Sequence, residues 1–74
     1  MFEKIASIIA EQLGCDETMI DEDTAIKEDL GADSLDLVEI LMSVEESFGI
    51  SVPDDDIPGF RTVSDILNYV EANM

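Results

Sequence analysis

Apolar residues recur at helical spacing in three stretches of this chain, and nowhere do they alternate as they would along a half-buried strand. Phe2, Ile5, Ala6, Ile9 and Leu13 stand at i, i+3, i+4, i+7 and i+11, and Gly14 follows as a stop, which predicts a first helix over about 2–14. Leu37, Ile40, Leu41, Val44 and Phe48 form the second stripe. Asp33 is placed to cap it by accepting the Asp36 backbone N–H, Ala32 and Leu37 occupy the two staple positions, and Gly49 ends a helix over about 34–48. Thr62 with Asp65 three residues later reads as a capping box, and Val63, Ile66, Leu67 and Val70 carry a third helix over about 62–73.

Between Cys15 and Asp33 no period persists, and Met19, Ile20, Ile26 and Leu30 are the expected anchors of a long loop. Asp54–Ile57 has room for one helical turn before Pro58-Gly59 breaks it. The expected fold is all-α: a small helical bundle of three long helices with at most a short stub, a long loop after the first helix, and one domain over residues 1–74.

Charge narrows the function. Three Lys and Arg against 19 Asp and Glu give a net −16, and the basic residues are only Lys4, Lys27 and Arg61. Displacing counterions from phosphates needs more cations than that, so nucleic-acid binding is excluded. The same field disfavours anionic membrane surfaces and favours protein partners with basic patches. No apolar run reaches the roughly 18 residues of a membrane span, and the first residues lack a signal-peptide pattern, so a cytoplasmic monomer without membrane insertion is expected. A hydrophobic content of 46% is too high for a disordered acidic tail. One cysteine, Cys15, and no histidine leave neither an internal disulfide nor a zinc pattern, and no metal site is expected. Compaction crowds Asp21-Glu22-Asp23, Glu45-Glu46 and Asp54-Asp55-Asp56, so stability is expected to rise with salt and on mild acidification.

On a helical wheel the second helix carries more than its core stripe. Leu35, Val38 and Met42 lie beyond that arc, with Glu39 and Glu46 on one side and Glu45 on the other. This strip is either the edge of a wide core or an exposed recognition patch rimmed with acid. Ser34 opens the helix. Residue chemistry alone reads it as one more helix-start serine. It fails as a catalytic nucleophile, because there is no histidine base, no lysine nearby in sequence and no Gly-x-Ser-x-Gly elbow. An exposed hydroxyl that another enzyme modifies needs none of these.

The run Leu30-Gly31-Ala32-Asp33-Ser34-Leu35-Asp36-Leu37-Val38-Glu39 resembles the signature of the acyl carrier proteins. The resemblance continues through Val44-Glu45-Glu46-Ser47-Phe48-Gly49-Ile50, Val52-Pro53-Asp54 and Thr62-Val63-Ser64-Asp65, and so covers essentially the whole chain. It implies that a phosphopantetheinyl transferase moves 4′-phosphopantetheine from coenzyme A onto Ser34, and that acyl groups ride on the arm as thioesters. The implied role is a non-enzymatic carrier delivering growing chains to fatty acid synthesis enzymes with basic docking patches, or else a discrete polyketide or other carrier. By the same resemblance Asp33, Leu35, Asp36, Glu39, Met42, Glu45 and Glu46 belong to the partner-binding helix, and Val44 and Ile66 match positions lining an acyl-chain cavity.

A rival class starts from Asp54-x-Asp56-x-Pro58-Gly59 with Asp65 in the twelfth place, a partial match to an EF-hand calcium loop. Pro58 offers no ligand at the fifth place, and Asp65 is short for a role that usually needs Glu. An acidic calcium-binding protein is therefore the alternative from a different class.

Overall fold

The computed structural model describes residues 1–74, and the long helices are α1 (Phe2–Leu13), α2 (Ser34–Phe48) and α3 (Val63–Ala72). The first two end where a residue must turn left-handed. Gly14 and Gly49 take φ of 70° and 68°, which costs glycine nothing, and their N–H groups reach Ala10 O at 2.8 Å and Glu45 O at 2.9 Å. The expected Asp33 cap forms and closes as a full capping box, and the expected Thr62–Asp65 box forms as well. Asp33 Oδ1 accepts the Asp36 N–H at 2.9 Å, and Asp36 Oδ2 accepts the Asp33 N–H at 3.3 Å. At α3, Thr62 Oγ1 accepts the Asp65 N–H at 3.4 Å while Asp65 Oδ2 accepts the N–H groups of Thr62 at 3.0 Å and Arg61 at 2.8 Å.

The buried core draws Ile5, Ala6, Ile9 and Ala10 from α1, Leu37, Ile40, Leu41 and Val44 from α2, and Val63, Ile66 and Val70 from α3. Ile20, Ile26, Val52 and Phe60 close it from the connecting segments. α1 packs against both other helices, whereas α2 and α3 come close at few points.

The loop from 15 to 33 is fastened along its length. It opens with a 3-10 turn over Glu17–Met19, capped by Asp16, whose Oδ1 accepts the Thr18 N–H at 3.0 Å. That bond holds the Asp16 carboxyl below the usual carboxylate range. Ile20 and Ile26 reach the core and Leu30 is half-buried, but Met19 is 69% exposed and anchors nothing. Adjacent residues of a 3-10 turn point in different directions, and Ile20 takes the inward place.

Farther on, Ala25 and Thr62 form an isolated antiparallel bridge. Around it Ile26 N–H donates to Arg61 O at 2.9 Å, Val63 N–H to Thr24 O at 3.1 Å and Ser64 N–H to Glu22 O at 2.9 Å, so the loop is tied to the start of α3.

Asp54–Gly59 is a six-residue 3-10 helix, and Pro58 and Gly59, expected to break it, are its last two residues. A 3-10 segment loses only one i→i−3 bond to a proline, whose fixed φ suits the conformation. The segment leads into buried Phe60, which meets Tyr69 edge-on at 5.4 Å between ring centroids.

Candidate functional site

Ser34 is the first residue of α2 and is exposed. Asp33 carries the cap, so the serine hydroxyl is free of the helix's own requirements. It accepts a hydrogen bond from Lys27 Nζ at 3.2 Å, a contact the sequence does not announce because seven residues separate the two. The only local signal is that Lys27 is the single cation in the loop leading to α2. Loop closure brings the pair together: Asp29 N–H donates to Ala25 O at 2.8 Å, Gly31 N–H to Lys27 O at 3.1 Å and Ala32 N–H to Ile26 O at 3.3 Å. The aligned peptide dipoles of α2 add positive potential at the same end.

From Ser34 a ridge runs along α2. Leu35 is 65% and Met42 57% exposed, which decides between the two readings of that strip in favour of an open patch, with Val38 half-buried beneath it. The seven acidic and apolar residues expected at a partner surface do not stand alike. Asp33 and Asp36 are committed to the capping box. Glu39 is exposed and accepts from the Gln12 amide, which links the acidic face to α1 through a neutral residue that the sequence did not single out. Glu45 turns to the other flank, where its Oε2 accepts the Val52 N–H at 2.9 Å. Glu46 is exposed and, with Gln12 and Ser43, borders the recesses between α1 and α2.

Val44 and Ile66 are both fully buried, and neither lines any of the three surface recesses. They are core residues of α2 and α3, the two helices that approach each other least.

The calcium reading is overturned by the local geometry. Asp54 and Asp56 sit on the 3-10 helix rather than in a ligand loop, Gly59 does not take the left-handed turn, and Asp65 is spent on the backbone of Arg61 and Thr62. Nowhere do three acidic, histidine or cysteine side chains converge as a metal site requires. The two backbone N–H bonds from Thr62 and Arg61 hold the Asp65 carboxyl below the usual carboxylate range, as befits a helix cap.

The family described as Phosphopantetheine attachment site matches residues 3–70, which include Ser34 and the whole of α2. A curated acyl carrier protein of Clostridium acetobutylicum is 47% identical over 73 residues, covering 99% of this chain and 95% of that protein. One from Thermotoga maritima is 46% identical over 74 residues, covering 100% and 91%. Among solved structures, an acyl carrier protein of Thermotoga maritima superposes with a TM-score of 0.83 at 32% identity, over 96% of this chain and 82% of that one. An acyl carrier protein of Enterococcus faecalis superposes with a TM-score of 0.82 at 29% identity, over 99% and 92%. No helix here is long and apolar enough to cross a membrane.

Proposed function

Because the chain belongs to the acyl carrier proteins, whose cofactor is covalently attached 4′-phosphopantetheine, we propose that Ser34 is its attachment residue and residues 1–74 its carrier domain. The observation that carries this reading is an exposed serine hydroxyl at the first residue of a helix capped by its neighbour, beside an ammonium and at the head of an exposed apolar ridge. An open hydroxyl at a helix N-terminus suits a phosphate group, since backbone N–H groups and the helix dipole favour the anion there.

When bound, the arm supplies a thiol on which acyl groups are held as thioesters, with an electrophilic carbonyl and an acidified α-carbon. The chain's own residues do the rest. Ser34 Oγ forms the new bond to phosphorus as the pyrophosphate bond of coenzyme A breaks. Adenosine 3′,5′-bisphosphate leaves, and a base of the transferase takes the hydroxyl proton, since this chain offers no histidine. Leu35 and Met42 supply apolar contact to a partner enzyme, and Glu39 and Glu46 steer its basic patch. Asp33 and Asp36 hold the start of the helix in shape, and Glu45 fixes the connector after it. The partners are the transferase and enzymes of fatty acid synthesis, and delivery relies on a tether that raises local concentration rather than on catalysis by the carrier. Acyl tails lodge between α2 and α3 by parting Val44 and Ile66.

Incubation with coenzyme A and a phosphopantetheinyl transferase, read by intact mass, tests the assignment. Wild type gains one phosphopantetheinyl group and Ser34→Ala gains none while melting as wild type does. A modified Ser34→Ala protein, or wild type left unmodified by a transferase active on other carriers, refutes it.

A further inference from the structure

Of the three cationic side chains, Lys27 alone rests on a neutral polar group. Arg61 pairs with Glu28 at 3.2 Å, the one ion pair in the molecule, and Lys4 lies over the Phe48 ring, 5.9 Å from its centroid. Lys27, in a chain of 19 acidic residues, instead donates to Ser34 Oγ at 3.2 Å. Its place is set by the backbone. Ile26 before it is buried and bonded to Arg61 O, its own carbonyl accepts the Gly31 N–H, and Ala32 closes back on Ile26. The carboxylates nearest to Lys27 and Ser34 in sequence have partners of their own: Glu28 pairs with Arg61, Asp29 accepts the Ala25 N–H at 2.9 Å, and Asp33 and Asp36 serve the capping box.

We propose that Lys27 is a positioning residue for the prosthetic group: its ammonium pairs with the phosphodiester that modification places on Ser34 Oγ and holds the root of the arm at the corner between loop and α2. This rests on the assignment of Ser34 as attachment residue. A phosphodiester brings a unit of negative charge to the atom the ammonium already touches, and exchanges a bond to a neutral hydroxyl for a charge-assisted one, which is stronger. It also brings that charge beside Asp33 and Asp36, where a cation is needed to offset the repulsion. Little backbone ordering is required, because the turn fixes the Lys27 main chain and its ammonium already reaches Ser34 Oγ.

The test compares melting temperatures of apo and phosphopantetheinylated protein for wild type, Lys27→Met and Lys27→Arg, alongside the phosphorus-31 resonance of each modified form. At low salt the modified-minus-apo difference falls by about 2–4 °C in Lys27→Met relative to wild type, the size expected of an exposed ion pair in a domain this small. Lys27→Arg restores it, about 300 mM salt shrinks it, and Lys27→Met moves the phosphorus resonance. A merely structural lysine would lower both melting temperatures equally, and that result, or a phosphorus resonance unmoved by Lys27→Met, overturns the proposal. Intact mass and a peptide map keep the underlying assignment separate: wild type unmodified, or modified away from Ser34, removes the attachment reading itself, whereas modification at Ser34 with unchanged differences removes only Lys27.

Discussion

Asp65→Ala should cost this domain a substantial share of its stability, and the cost should shrink in acid. The carboxylate accepts the N–H groups of Arg61 and Thr62 at 2.8 and 3.0 Å, so the substitution deprives two backbone donors of their acceptor and opens one side of the α3 capping box. Losing a helix cap costs about 0.5–2 kcal/mol, and because Asp65 is only half-buried the freed donors recover some hydration, leaving about 1 kcal/mol. A chain of 74 residues has about 4–11 kcal/mol in all, and 1 kcal/mol lowers the melting temperature of so small a domain by about 4–8 °C. The sign of the pH dependence follows from the direction of the shift. The folded-state carboxyl is held below its ordinary value, so its contribution is complete at neutral pH and is lost as pH falls through the folded value. The gap between wild type and Asp65→Ala, measured by circular dichroism melts from pH 7 down to about pH 3, should therefore be widest at neutrality and narrow toward the acid end. Asp65→Asn, which keeps one carbonyl acceptor but no charge, should fall between them. A gap of constant width across that range would show that the ionised carboxylate is not what secures the start of α3.

Charge reversal at Glu39 or Glu46 to Lys should slow modification and acyl transfer several-fold at low salt, with the effect fading as salt rises. Met42→Ala should weaken docking with little salt dependence, and transfer kinetics indifferent to all three changes would show the docking face to lie elsewhere. If acyl tails pack between Val44 and Ile66, melting temperatures of the acylated protein should climb as the chain lengthens, each buried methylene adding up to about 0.8 kcal/mol, whereas a flat series would place the tail outside. With a net charge of −16, the melting temperature should rise between 0 and about 300 mM sodium chloride, and a flat or falling trend would mean that the acidic surface is already compensated.

What could be read in advance was whatever is decided within one helical turn. Asp33 and Asp36, Thr62 and Asp65, Gly14 and Gly49 act on neighbours three or four residues away, and each stands where local rules put it. The helical wheel separated Leu35 and Met42 from the core, though exposure rather than periodicity was needed to choose between patch and core edge. Residues governed by loops escaped. Met19 and Ile20 are adjacent and similarly apolar, and only the path of the 3-10 turn decides which faces inward. Pro58 looked like a breaker because it forbids an α-helix, and a 3-10 helix tolerates it. Glu45 lay on the wheel's rim, but its carboxylate found the Val52 N–H on a connector whose course no wheel contains. Lys27 reaches Ser34 only because the intervening turn closes on itself.

The bridge between Ala25 and Thr62 determines which parts of this molecule open together. The amides of Ile26, Val63 and Ser64 are bonded across it, so the later part of the long loop and the start of α3 should exchange with deuterium as one cooperative unit, although the bonded residues are 35 or more positions apart in sequence. α2 stands outside that unit and has few close approaches to α3. The hydrogen bond from Lys27 to Ser34 is therefore a side-chain link from that unit to the first residue of α2.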